Sequence, residues 1–242
     1  MEKVHGGGTP LLARWTTDWD CGFETGWWYT IIDSPFDITA LKSDYRRRIR
    51  IGKRNFTCRV IDPVEYSTSM AKITKADWST YPEKYRPQDS EESLVQSYCN
   101  TKEIVWGAFD EAGALSAFQI IRDCEHYYSL EQGKCNPEKQ RLQVNAALIA
   151  SYLEHYSNEI ADGKFISNGA RNIIHETNFN EDLCKKYGFR KAYCRLCIRY
   201  NPKIEWLIRC LYPFRQSLLK LDDIGMVHQI NAVLKMESIV RG

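Results

Sequence analysis

The sequence predicts a mixed α/β fold, in which a central mixed sheet is flanked by helices. Segments with the strand period of two alternate with segments of helical period along the chain. The 242 residues are 43% apolar and 26% charged, which is the composition of a globular protein with a sizeable core. Residues 142–156 carry two apolar stripes, so this helix is expected to pack on both sides. Helices interleaved with strands cover both faces of a sheet.

The elements follow one another in a definite order. The expected strands are residues 27–32, 56–61, 104–109, 114–121, 127–130, 164–167 and 191–200. The expected helices are residues 41–49, 64–78, 91–98, 142–156 and 180–187, with residues 133–139 as loop and amphipathic helices from 203 onward, divided near 222–225. The expected organisation is an N-terminal aromatic and basic extension (1–55), an α/β domain (56–200) and a C-terminal helical appendage (201–242).

Charge and cysteine usage narrow the class of protein. The net charge of +2, from 33 basic and 31 acidic residues, argues against a general nucleic-acid coat protein, so a polyanion site must be local. No apolar run approaches the roughly 18 to 20 residues that span a bilayer, and the polar start lacks a secretory signal, so the expected compartment is the cytoplasm. Cys194 and Cys197 lie three apart on an expected strand and point to opposite faces, so no metal site is expected.

One motif connects the sequence to a known family. The run Leu183-Cys184-Lys185-Lys186-Tyr187-Gly188-Phe189, with Asn178 before it, resembles the fourth helix of GNAT-superfamily acyltransferases, and the element order from about 56 to 200 resembles their fold. The basic stretch 41–55 is similar to a Lys/Arg-rich segment in Fem-type aminoacyl transferases and related bacterial proteins. Its residues Arg46, Arg47, Arg48 and Arg50 are either a solvated helix face or the contact for a phosphate-bearing ligand.

The resemblance implies a donor site before the third GNAT helix. The matching residues are Arg141, Gln143, Val144, Asn145 and Ala146, and Asn178 completes the set of expected donor contacts. Val144 replaces the first glycine of the family pattern, and a β-branched residue does not readily take positive φ. The implied donor is therefore either acetyl-CoA or another acyl-CoA, or an aminoacyl-tRNA as in the Fem-type branch.

The remaining catalytic expectations follow from the same resemblance and from side-chain chemistry. Cys184 stands where many family members have a tyrosine acid, and it is either that acid or a small buried residue. His175 and Glu176 are expected to provide and orient a base near neutral pH. The expected substrate contacts are Asn168, Arg171 and Asn172. The alternative is that His175 and Glu176 are solvated and that Thr177 or Asn178 only caps the next helix.

The aromatic cluster, the C-terminal run and the function of the chain each have two alternative interpretations. The aromatic cluster Trp15, Trp19, Trp27, Trp28 and Tyr29 is either a stacking platform for sugars or a part of the core. The C-terminal amphipathic run lies on an anionic membrane surface, or packs on the domain or on a second subunit in a homodimer. The function expected is acyl transfer to an amine or hydroxyl, on a sugar or cell-envelope precursor; the alternative is an inactive protein that binds a polyanionic or protein partner.

Overall fold

The computed structural model describes residues 10–173, 179–222 and 225–242. By their contacts the residues divide into two compact units. We call Met1–Tyr29, Ala170–Asn178 and Lys191–Gly242 the terminal unit, and Thr30–Gly169 and Phe179–Arg190 the central unit. The three segments expected from the sequence, 1–55, 56–200 and 201–242, stay a prediction.

The described residues contain eight strands and nine α-helices. The strands are β1 (Leu12–Thr17), β2 (Trp27–Ile32), β3 (Thr57–Ile61), β4 (Ile104–Phe109), β5 (Leu115–Asp123), β6 (Tyr127–Cys135), β7 (Phe165–Ala170) and β8 (Arg190–Tyr200). The helices are α1 (Ser43–Asn55), α2 (Pro63–Ser79), α3 (Glu91–Cys99), α4 (Val144–His155), α5 (Ser157–Ala161), α6 (Phe179–Tyr187), α7 (Pro202–Leu211), α8 (Arg215–Leu219) and α9 (Gly225–Arg241). Short 3₁₀ turns lie at Ile38–Ala40, Glu83–Tyr85, Pro137–Leu142 and Tyr212–Phe214.

The central unit is built on a mixed sheet. Its strands lie in the order β7-β6-β5-β4-β3. β6 and β7 are parallel, and the other neighbours are antiparallel. The hairpin between β4 and β5 turns at Gly113, whose φ of 74° suits a residue without Cβ. This arrangement confirms the mixed sheet that the sequence predicts.

Helices cover both faces of that sheet. On one face α4 supplies buried residues from Val144 to Leu153 to a core that also takes Trp106 and Ala108 of β4. On the other face α2 and α3 pack against Val105 of β4 and other apolar strand residues. Because side chains alternate along a strand, successive residues of β4 serve the two cores. The apolar residues expected on the 142–156 helix are buried from Val144 to Tyr156, whereas Leu142 is 44% exposed and precedes α4. The helix packs against both α1 and the sheet, which confirms that two of its sides are covered.

The terminal unit combines strands with the C-terminal helices. β1 runs antiparallel to β8, from Leu12 opposite Tyr200 to Thr17 opposite Arg195. A small core joins Trp27, Cys194 and Met236. β1 was not expected, and the appendage contains three α-helices rather than two. None of the helices in the described part of the chain is long and apolar enough to cross a membrane.

One predicted boundary is wrong in a way that matters for the site. Residues 133–135 were expected to be loop, but they continue β6 and pair with Gln119, Phe118 and Ala117 of β5. Gly133 fits this position because a Cβ there would lie 2.5 Å from the Gln119 side-chain oxygen. The neighbouring side chain fills the space that a residue larger than glycine would need.

Candidate functional site

The parallel strands β6 and β7 separate partway along their length. Their pairing runs from Tyr127 with Phe165 to Ser129 with Ser167, and then β6 continues to Cys135 and β7 to Ala170. Backbone N–H and C=O groups on the separated parts are available to a ligand rather than to the partner strand. Ligands in α/β sheets bind at the carboxyl ends of strands, where the chain directions diverge.

A bulge changes the direction of the side chains on β6. Ile120 of β5 lies opposite Gln132, but Ile121 lies opposite Leu130, so Glu131 is an extra residue in the ladder. Before the bulge, Leu130 points into the core beneath α4. After the bulge, Gln132 and Lys134 point to the opposite face, towards α2 and α3. The bulge thus directs polar side chains into the layer of α2 and α3.

Those side chains join a group that we call the β6 polar network. Its members are Thr74, Asp77, Tyr81, Tyr98, Gln132 and Lys134. Lys134 Nζ donates to Asp77 Oδ2 at 2.7 Å and to the Tyr81 hydroxyl at 2.8 Å. The Tyr98 hydroxyl lies 2.7 Å from Thr74 Oγ1 and 3.5 Å from Gln132 Oε1. The hydrogen bonds within each of these two sets of three side chains hold them in fixed positions.

The electrostatics of the network keep Lys134 positively charged. Burial opposes its charge, but hydrogen bonds to Asp77 and Tyr81 outweigh that effect, so the pKa of Lys134 is raised. Burial also raises the pKa of Tyr98, which therefore stays neutral. The network thus holds a charged lysine paired with the Asp77 carboxylate, together with hydroxyl and amide groups.

The N-terminus of α4 follows directly on β6. The turn before the helix is made by Gln143, with φ of 66° and ψ of 37°, and no side chain caps the helix. Val144 is the first helical residue and is fully buried. The positive φ that a glycine would supply therefore falls on Gln143, and Val144 does not have to adopt it. Asn145 is exposed, and its Nδ2 lies 3.4 Å from Cys135 Sγ at the end of β6.

Helix α1 packs closely against this end of α4. A Cβ at Gly52 would lie 2.5 Å from the Gln143 carbonyl oxygen and 2.9 Å from the Ala147 nitrogen. Asn55 Nδ2 donates to the Leu142 carbonyl at 3.3 Å. The contact holds the last turn of α1 beside the first turn of α4.

Exposed arginines adjoin this contact in the sequence. Arg54 directly precedes Asn55, and Arg141 directly precedes Leu142. The arginines singled out in the sequence, Arg46, Arg47, Arg48 and Arg50, are exposed along α1. Two of them are already paired, since Asp44 accepts from Arg47 at 3.2 Å and from Arg48 at 2.8 Å. Their predicted phosphate ligand stays a prediction.

The α6 region contributes an amide pair and a cleft. Asn168 Nδ2 on β7 donates to Asn180 Oδ1 on α6 at 2.6 Å, so this substrate candidate holds the start of α6. Cys184 is partly buried against the core. With Tyr187 it lines a cleft of about 370 Å³, with Lys42 and Lys185 also in the lining. Burial raises the pKa of Tyr187, so its hydroxyl stays protonated.

The terminal unit contains two other sequence candidates. The Arg171 guanidinium donates to the Gly26 carbonyl at 2.6 Å and lies 4.2 Å from the centre of the Trp28 ring. Lys191 Nζ also lies 4.4 Å from this ring. Arg171 therefore positions Trp28, and Asn172 is exposed beside it. The catalytic candidates His175 and Glu176, and the donor candidate Asn178, lie outside the described residues.

Some of the aromatic and cysteine residues of the terminal unit are buried in its core, and others are exposed or partly exposed. Trp27 is 3% exposed and packs with Cys194, whereas Trp15 and Trp19 are each 48% exposed. Cys197 Sγ lies 3.7 Å from Thr17 Oγ1. Cys194 and Cys197 therefore have separate surroundings on β8.

Sequence reasoning missed the β6 polar network. It ended the strand at residue 130, so Gln132 and Lys134 fell in or near an expected loop. The signal available was the consecutive polar pair Glu131-Gln132 within a strand-like run, which breaks the period of two and is typical of a bulge.

Comparison with known proteins supports the fold. No protein-family profile matches the sequence, and no curated protein matches it either. The structure of FemX is similar to this chain with a TM-score of 0.55 at 10% identity, over 75% of this chain and 63% of that one. L-PGS from Bacillus licheniformis gives a TM-score of 0.49 at 14% identity, over 83% of this chain and 66% of that one. A tandem GNAT protein from the clavulanic acid biosynthesis pathway gives 0.45 at 12% identity, over 72% and 53%.

The chain thus spans less than two thirds of the length of each of these proteins. At such low identity the similarity concerns the fold and not the activity. The mixed sheet covered on both faces, the diverging parallel strands and the similarity to FemX agree with one another. The chain has a GNAT-like fold that is similar to the fold of FemX.

Proposed function

We propose that this chain is an acyltransferase that moves an acyl or aminoacyl group to an amine or hydroxyl at the separation of β6 and β7. The observation that carries the proposal is that separation itself, beside the uncapped N-terminus of α4. A gap between strands admits an extended donor, and free backbone N–H groups polarise a carbonyl in it. The acyl group passes directly from donor to acceptor.

The proposed donor carries phosphate groups. A helix N-terminus without a side-chain cap presents backbone N–H groups and a positive dipole end to an anion. Asn145 and Ala146 lie in the first turn of α4. The exposed Arg141 belongs to the 3₁₀ turn that leads into this helix, and the exposed Arg54 belongs to the last turn of α1, which packs against it. Acetyl-CoA, another acyl-CoA and an aminoacyl-tRNA all carry such phosphates, and all are found in the cytoplasm, where we propose that the protein works.

The proposed acceptor is recognised by the β6 polar network. Its accessible members, the Tyr81 hydroxyl, the Gln132 amide and the Lys134 amine, suit an acceptor with many hydroxyls, such as a sugar or another cell-envelope precursor. The network lies on the α2 and α3 side of β6, and the α4 N-terminus follows the same strand. Donor and acceptor would thereby meet at the end of β6.

Proton transfer in this proposal uses residues from the sequence prediction. The acceptor loses a proton to His175, oriented by Glu176, and its nucleophile forms a bond to the donor carbonyl carbon. The bond from that carbon to the donor's leaving atom then breaks, and Cys184 supplies the proton that the leaving group takes up. Asn168, Arg171 and Asn172 are proposed to position the acceptor, and Asn178 the donor.

The donor site is tested by placing a negative charge at the start of α4. Asn145→Asp adds a carboxylate in the first turn, which stabilises a helix but repels an anionic donor. Val64→Asp is the matched control, because Val64 is 56% exposed in the first turn of α2. Thermal melting is followed with acetyl-CoA and with free CoA; a ligand at 100 times its dissociation constant adds roughly 2.7 kcal/mol of stability.

The expected result is that CoA raises the melting temperature of the wild-type protein and of Val64→Asp, but not that of Asn145→Asp. If CoA has no effect on the wild type, transfer from labelled aminoacyl-tRNA is measured with the same variants. Transfer from neither donor would overturn the proposal. Salt-sensitive heparin retention would then favour the alternative, a protein that binds a polyanionic or protein partner without catalysis.

A further inference from the structure

The terminal unit exposes large apolar side chains on its C-terminal helices. Trp206 of α7 is 68% exposed and Phe214 is 63% exposed. Leu219 and Leu221 are 42% and 50% exposed. We give the name α7–α8 face to the exposed residues Lys203, Trp206, Leu207, Cys210, Phe214, Leu219, Lys220 and Leu221. Exposed apolar side chains grouped within twenty residues of chain are typical of an interaction surface.

The helical spacing explains why this surface is not the core-facing side. Lys203, Trp206, Leu207 and Cys210 follow the spacing i, i+3, i+4 and i+7, which places them on one side of α7. Ile208 lies on the other side and is only 4% exposed. The inward side of α7 is thus already packed, and the aromatic side chain remains on the outer side.

The charged residues of the α7–α8 face are both lysines. Residues 202–221 contain four cations and one acid, Glu205, and Asp222 and Asp223 follow directly in the sequence. Arg209 bonds Glu205 at 2.6 Å, and Arg215 lies 4.3 Å from the centre of the Tyr212 ring. Lys203 and Lys220 are exposed. An apolar surface with exposed lysines matches the chemistry of a membrane with anionic headgroups.

We propose that the α7–α8 face lies on an anionic lipid surface, with Trp206 and Phe214 at the level of the headgroups. A tryptophan places its apolar ring and its N–H in the region between water and acyl chains. The two lysines contact lipid phosphates from the polar side of the same surface. The proposal is independent of acyl transfer, since it uses no residue of the proposed site.

A second copy of the chain is a poorer occupant of this surface. A symmetric dimer places the same patch on both sides of the interface. The cations of the α7–α8 face would then meet each other with a single acid in the segment to offset them. Like charges brought together in an interface disfavour association, whereas anionic headgroups neutralise them.

The test is co-sedimentation of the full chain with vesicles of phosphatidylcholine alone and of phosphatidylcholine with phosphatidylserine. We expect binding to the anionic vesicles and little binding to the neutral ones. The double substitution Lys203→Glu with Lys220→Glu should weaken binding at least tenfold, because each basic residue near such a surface contributes to the attraction. Trp206→Ser with Phe214→Ser should weaken it at least tenfold through lost apolar burial.

Matched controls distinguish binding through the α7–α8 face from nonspecific binding by other exposed apolar side chains. Phe23→Ser with Val64→Ser removes two side chains that are 52% and 56% exposed, and should leave vesicle binding unchanged. Equal binding to both kinds of vesicle, or equal loss in the control, would overturn the proposal. Light scattering after gel filtration is run in parallel: a dimer that Trp206→Ser with Phe214→Ser converts to monomer would assign the surface to self-association instead.

Discussion

Lys134 of β6 and Asp77 of α2 form an ion pair of 2.7 Å between side chains that are only 11% and 16% exposed. The pair exists because the Glu131 bulge turns this part of β6 towards α2. Removing one partner leaves the other charge poorly solvated, so a largely buried pair is more sensitive to substitution than a surface pair.

We predict that Asp77→Ala lowers the free energy of unfolding by about 2–4 kcal/mol, since it leaves the Lys134 charge without its carboxylate. The matched control is Glu154→Ala, which breaks the Lys53–Glu154 pair, whose side chains are 37% and 41% exposed. An exposed pair of this kind contributes about 1 kcal/mol or less. Urea unfolding measures both changes, and similar losses in the two variants would contradict a special role for the Lys134 pair.

The close packing of α1 on α4 predicts that adding even one methyl group at Gly52 destabilises the protein. Gly52→Ala places a methyl group 2.5 Å from the Gln143 carbonyl oxygen, and backbone atoms cannot rotate away. We expect a loss of about 1–3 kcal/mol in the free energy of unfolding. The control is Gly225→Ala, where an added Cβ meets nothing within 4 Å, and which should change stability by about 0.5 kcal/mol or less.

Two buried tyrosines should respond differently to loss of the hydroxyl. The Tyr152 hydroxyl is buried in α4 and has no hydrogen-bond partner among the residues that the structure describes. Tyr152→Phe should therefore be neutral or stabilise the protein by up to about 1 kcal/mol. Tyr98→Phe removes the 2.7 Å bond to Thr74 and should cost about 1 kcal/mol. Thermal or chemical unfolding measures the stability of the two variants. A loss of stability in Tyr152→Phe would show that the Tyr152 hydroxyl makes a hydrogen bond in the wild-type protein.

The hairpin between β4 and β5 predicts a dependence of stability on acid. The hydrogen bond from Lys139 lowers the pKa of Asp110 below 3.8 and outweighs burial, which raises it; the backbone N–H groups of Ala114 and Ala112 lower it further. A carboxyl group with a lowered pKa stabilises the folded state above its unfolded pKa. That contribution is lost as the pH falls through the lower pKa of the folded state.

We therefore expect Asp110→Asn to be less stable than the wild type at neutral pH. The difference in unfolding free energy should shrink as the pH is lowered beyond 3.8, because the wild-type carboxyl is then protonated. Urea unfolding at a series of pH values measures the difference. If the difference in unfolding free energy stays constant down to acid pH, the charge of Asp110 does not contribute to stability.

The sequence by itself determined the types of most elements and the fold class. The apolar residues of the 142–156 helix are a local pattern, and the structure places the ends of α4 within two residues of that range. The fourth-helix motif and the element order also indicated the GNAT-like fold, with which the similarity to FemX agrees. The catalytic assignments to Cys184, His175 and Glu176 stay predictions.

The tertiary structure alone decided which polar groups meet. Asp77 and Lys134 are 57 residues apart, and their contact depends on one extra residue in β6 and on the packing of α2 across the sheet. The positive φ at Gln143 likewise follows from how the 3₁₀ turn leads into α4 and not from residue type, since the family pattern places its glycine one residue later, at Val144. Periodicity reports which face of an element is apolar, but a bulge reverses the faces without changing composition, so only the assembled sheet fixes the site.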